Sequence, residues 1–164
     1  MTEEMERLIA SFVVRKELFF IGCESVDEQG LWDQETWGDM RLYFENALVS
    51  AILRIMASDE RFSKSETGFL ADTFEIRYTA EELMELYQSI DFEESAEQFV
   101  RKLAADAELL RGKAEGLEEA FRELVILVCR IIGRMDGITQ EESALTDLII
   151  GAFENGRELP EENT

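Results

Sequence analysis

Apolar residues recur three and four positions apart along most of the chain, whereas strict alternation is scarce. That pattern predicts helices throughout and no sheet. Phe44, Leu48, Ile52, Ile55 and Met56 form one stripe on a helix predicted from about Thr36 to Ser58. Leu117, Phe121, Leu124, Val128, Ile131 and Met135 form a second. Further apolar residues flank both stripes (Val49 and Leu53; Val125, Leu127 and Ile132), and a helix apolar on more than one face belongs inside a bundle. These two are the expected central pair. Five further helices are predicted: Glu3 to Phe20, with Leu8, Phe12, Arg15 and Phe19 at helical spacing; Ser63 to Phe74; Thr79 to Ser89; about Glu93 to Arg111; and Thr139 to Phe153. Three starts carry a capping box, in which hydroxyl and carboxylate satisfy each other's backbone N–H groups: Ser63 with Glu66, Thr79 with Glu82, Thr139 with Glu142. Glu24 to Glu35 lacks a stripe and reads as a loop around Gly30-Leu31-Trp32. The single proline, Pro160, leaves the body of the chain without an obligate helix breaker.

The chain also repeats itself. Sliding it by 76 positions lays Leu48-Val49 on Leu124-Val125 and Arg54-Ile55 on Arg130-Ile131. The same slide lays Phe62-Ser63 on Ile138-Thr139 and Glu66 on Glu142. Each copy reads as a long apolar helix, a tight turn containing an aspartate, a capping box and a shorter amphipathic helix. Two such hairpins related by pseudo-symmetry would pack their long helices together beneath the short ones.

Composition then removes whole classes of function. The 164 residues suit one domain, and 46 % apolar with 32 % charged residues is a globular composition. Acids outnumber bases 37 to 16, a formal charge of −21, which repels nucleic acid and anionic membrane alike. No histidine is present, so imidazole triads, His-containing zinc sites and the Glu-x-x-His di-iron pattern are excluded. Cys23 and Cys129 form no CxxC pair and read as buried thiols in a reducing compartment. The acidic start and the lack of a long apolar run predict a cytoplasmic protein without direct membrane insertion. The glycines are scattered, with no phosphate-binding loop, and no pattern marks a carboxylate catalytic cleft, so no enzymatic activity is expected.

At the repeated turns the sequence resembles the tellurite-resistance TerB-like family, which includes the N-terminal domain of a membrane-anchored DnaJ-type co-chaperone. The family mark is an apolar helix ending in Ala-Asp-Gly, then a hydrophobic residue and a glutamate seven positions after the aspartate. The first copy reads Ala57-Ser58-Asp59-Glu60-Arg61-Phe62-Ser63-Lys64-Ser65-Glu66, with Glu60 where glycine is usual. The second reads Arg134-Met135-Asp136-Gly137-Ile138-Thr139-Gln140-Glu141-Glu142, keeping Asp-Gly with Asp136 six positions before Glu142. The resemblance covers roughly Ala47 to Phe153. It implies an all-α fold, a single compact bundle of about seven helices with two pseudo-repeated helical hairpins. It also implies clustered surface acids and a stress-response role linked to metalloid or other chemical insult, as an interaction or ion-sensing module. The expected organisation is an N-terminal helix and acidic Trp-containing loop packed on the bundle (residues 1–40), a TerB-like helical core (41–155) and a flexible acidic tail (156–164).

The candidate metal ligands are Asp59, Glu66, Asp136 and Glu142. Carboxylates brought together across a helix–turn–helix supply the hard oxygens that calcium or magnesium prefers. The same residues have a purely structural use, the glutamates in capping boxes and the aspartates starting turns. A direct tellurite site is disfavoured, because the recurring cations are only Arg54 and Arg130, which suit neutralising carboxylates near the core. The acidic runs Glu81-Glu82-Glu85 and Asp91-Glu93-Glu94-Glu97 read as solvated faces, or as a docking surface for protein partners with basic segments. Trp32 and Trp37 read as a cap on the bundle's end. Two alternatives stay open beside the ion-sensing module: a pure protein–protein scaffold with an acidic docking surface, and a carboxylate-dependent hydrolase, which a deep acid-lined pocket would favour.

Overall fold

Thr2 accepts a hydrogen bond from the Met5 N–H and opens helix α1, Glu3–Glu28, whose first-turn acids Glu3, Glu4 and Glu6 suit the positive end of the helix dipole. The structure, a computed structural model, describes residues 2–59, 62–89, 95–135 and 138–154. Helix α1 runs eight residues past the predicted end, because Cys23 and Val26 continue the buried face begun by Phe12, Phe19 and Phe20. It stops at Gly30 (φ 73°): the Gly30 N–H donates to Asp27 O (3.0 Å) and the Leu31 N–H to Val26 O (3.2 Å), which satisfies the last carbonyls. The predicted loop therefore begins later than expected. It also contains α2, Gln34–Trp37, capped by Asp33.

The helix predicted from Thr36 to Ser58 is two helices. Gly38 (φ 75°) breaks the chain, Asp39 caps the new start, and α3 spans Met40–Met56. A 3-10 turn, Ala57–Asp59, follows. Then come α4 (Lys64–Phe74), α5 (Ala80–Ser89), α6 (Ala96–Glu108), α7 (Leu117–Gly133) and α8 (Gln140–Glu154). Among the described residues the fold is all-helical with eight α-helices, one more than predicted. All three predicted capping boxes form, and Ser95 with Gln98 makes a fourth at the start of α6. The predicted tail, residues 156–164, lies outside the described residues.

The expected central pair, α3 and α7, does meet, and α1 lies against both. Phe19 of α1 sits 5.7 Å from Phe44 and 5.5 Å from Phe121, with Phe44 and Phe121 5.3 Å apart. Such tilted and edge contacts contribute about 0.5–1.5 kcal/mol per pair beyond burial. Gly22 lets α1 close on α7, since a Cβ there would lie 2.9 Å from Leu117 Cδ1. Not every inward position of α1 is apolar. Arg15 points out, and Lys16 is buried instead, donating to the Thr73 carbonyl at the end of α4 (2.6 Å) with Phe74 4.8 Å away. The Trp32 ring is buried and its indole N–H donates to Gly38 O (3.0 Å), whereas Trp37 stays 41 % exposed beside it. Trp32 thus packs on Tyr43 and Phe44 at the start of α3.

Candidate functional site

Helices α4 and α8 begin in the same way. At α4 the Glu66 N–H donates to Ser63 Oγ (3.2 Å) and the Ser63 N–H to Glu66 Oε1 (2.7 Å). At α8 the Glu142 N–H donates to Thr139 Oγ1 (3.3 Å), and both the N–H and hydroxyl of Thr139 donate to Glu142 Oε1 (3.2 Å each). Each cap engages Oε1. Both side chains are buried, Glu66 4 % and Glu142 2 % exposed. Helix α8 packs on α3 and on the turn Ala57–Asp59 that precedes α4.

The two carboxyls then meet. Glu66 Oε2 is buried and receives no N–H or hydroxyl donor. The Glu66 carboxyl lies beside that of Glu142, with which it forms a hydrogen bond when Glu66 carries a proton. Burial, and after it the bond to Glu142, hold the Glu66 carboxyl well above the usual carboxylate range, against the lowering effect of the Ser63 N–H. A divalent cation replacing that proton would find two converging hard oxygens in place. Among the described residues no three acidic or thiol side chains gather as a cation cage. The side chain of Asp59, which ends the 3-10 turn, and the whole of Asp136 lie outside the described residues. Of the four candidates the structure thus brings Glu66 and Glu142 together.

The other candidate groups fall elsewhere. Arg130 makes an exposed pair with Glu154 (2.9 Å) and not a core one, since it stands on the outer face of α7 while Cys129, Ile131 and Ile132 turn inward. Arg54 lies over the Phe99 ring, 5.7 Å from its centroid, and its buried Nε has no hydrogen-bond partner in the described structure. That orphaned donor had no sequence signal beyond the repeat. Cys23 and Cys129 are free and buried, and burial pushes both thiols up to about 12. Neither is therefore a nucleophile at neutral pH. Glu81, Glu82, Glu85 and Glu97 are exposed, while Asp91, Glu93 and Glu94 lie outside the described residues. A groove of about 600 Å³ between α1, α7 and α8 is lined by Leu8, Arg15, Arg122, Ile126, Arg130 and Phe153 among others, and contains neither buried glutamate. No described helix is long and apolar enough to cross a membrane.

No protein-family model matches this chain, and neither a curated protein nor a solved structure does.

Proposed function

We propose that the chain is a TerB-like, non-enzymatic interaction and ion-sensing module of cytoplasmic stress response. In it two pseudo-repeated hairpins, α3–α4 and α7–α8, present a weak divalent-cation site. Glu66 and Glu142 are the inner ligands of that site, with Asp59 and Asp136 as its further candidate ligands. The observation that carries the reading is the buried meeting of two carboxyls from equivalent capping positions, with one oxygen of Glu66 left without a donor. A carboxylate pair kept only to cap helices would need neither burial nor contact, because Oε1 alone completes each box. Calcium and magnesium fit the hard oxygens and the negative field of a chain at −21. The role is sensing rather than catalysis, for each carboxyl is already engaged by its own cap.

Melting temperature titrated with calcium, magnesium and manganese tests this. A cation at a hundredfold excess over its dissociation constant should stabilise the wild type by about 2.7 kcal/mol. Glu66→Gln and Glu142→Gln keep the cap acceptor and remove the charge, and both should abolish the response. Variants that respond as the wild type does would exclude the carboxylate site. A wild type indifferent to all three ions would leave a protein–protein scaffold as the better reading.

A further inference from the structure

We infer that the outer face of α1 docks a basic amphipathic helix of a partner protein. Val14, Leu18 and Ile21 stand at i, i+4 and i+7 on the side of α1 opposite its core, exposed by 59, 63 and 59 %. This is the spacing with which one helix grips another, yet no described element covers it. Beside the ridge runs a groove of about 260 Å³ between α1 and α7, where Leu18 and Phe19 meet Leu117 and Ala120 under a rim of Glu115 and Glu123. Along the ridge's other flank, helical geometry places the exposed acids Glu17, Glu24 and Glu28, of which Glu17 meets Lys16 (3.3 Å) and Glu24 meets Arg41 (2.6 Å). The one cation at the groove, Arg15, is held by Glu123 at 2.8 Å.

Acids on both sides of a narrow apolar strip call for the opposite arrangement in the occupant, apolar at the centre and basic at the edges. A second copy of the chain is the wrong occupant. It would set Glu17, Glu24 and Glu28 against their own counterparts, with each copy at −21. Three aliphatic side chains also fall far short of the ~800 Å² per partner of a stable dimer. The contact is therefore transient and steered by charge. It rests on the interaction-module half of the proposed function and not on the cation site.

A labelled amphipathic peptide of about sixteen residues, with leucines on one face and lysines flanking them, is the probe. Binding is followed by fluorescence anisotropy with a chelator present, so that the outcome is independent of any cation. The triple variant Val14→Ser, Leu18→Ser, Ile21→Ser changes only exposed side chains and should keep the wild-type melting temperature while binding at least about tenfold more weakly. Glu17→Gln with Glu28→Gln should weaken binding and reduce its dependence on salt, whereas Glu81→Gln with Glu85→Gln, on α5, should leave it unchanged. A triple variant that binds as tightly as the wild type would overturn the inference, as would a wild-type dimer that the same three serines dissociate.

Discussion

Glu66 shows how one side chain answers to local and distant neighbours at once. Its Oε1 belongs to its own helix through Ser63, while its carboxyl also meets Glu142, 76 positions away in the chain. Because burial raises its folded-state proton affinity, the folded chain holds a proton that the unfolded chain has released above the ordinary glutamate value of about 4.3. Its contribution is thus fully present below that value and is lost as pH climbs through the raised folded one. Denaturant unfolding between pH 5 and 7 should show wild-type stability falling by up to ~1.4 kcal/mol per pH unit from this group. Glu66→Gln should flatten that slope, its amide donating to Glu142 without titrating. Equal slopes in the two proteins would mean that Glu66 ionises normally in the fold. Local spacing made the caps legible; the meeting of the carboxyls was not, because no window of sequence spans both caps.

At the scale of elements, sequence expectation and structure agree where a helix carries its own start signal and part where a glycine or a buried cation decides. Ser63, Thr79 and Thr139 marked three helices to within a residue, since a capping box is a local hydrogen-bond pattern. Gly38 was read as part of the helix from Thr36 to Ser58, although its positive φ splits α2 from α3. In α1, placing Arg15 at helical spacing with Phe12 and Phe19 hid the part played by Lys16. The ammonium of Lys16 bonds the Thr73 carbonyl at the C-terminal end of α4, beside the rings of Phe12, Phe69 and Phe74 that pack the same two helices together. Lys16→Met fills the same space but leaves that carbonyl without its charged donor, which should cost roughly 1–3 kcal/mol by chemical denaturation. A loss below about 0.5 kcal/mol would show that the bond is replaced by water.

Across the whole molecule, charge shapes stability wherever the core does not. The described ion pairs, such as Arg15–Glu123, Arg41–Glu24 and Arg130–Glu154, are largely exposed and contribute about 0–1 kcal/mol each. Against them stands the mutual repulsion of a chain at −21. Raising the salt from about 0.01 to 0.15 M shortens the screening length from about 30 to about 8 Å and weakens both. Repulsion acts among many charges at long range and so loses more. The melting temperature should therefore rise with sodium chloride; a fall would mean that the surface pairs outweigh the repulsion.

The amino-acid order by itself determined the helical class, the cap positions, the buried thiols and the strong negative field. Each of these follows from local spacing or from simple counting. Only the tertiary structure decided that α1 lies against both α3 and α7, that Lys16 rather than Arg15 is enclosed, and that Glu66 faces Glu142. Those outcomes depend on which distant surfaces close on one another. Helical periodicity says which face of a helix is apolar, but not what that face will meet.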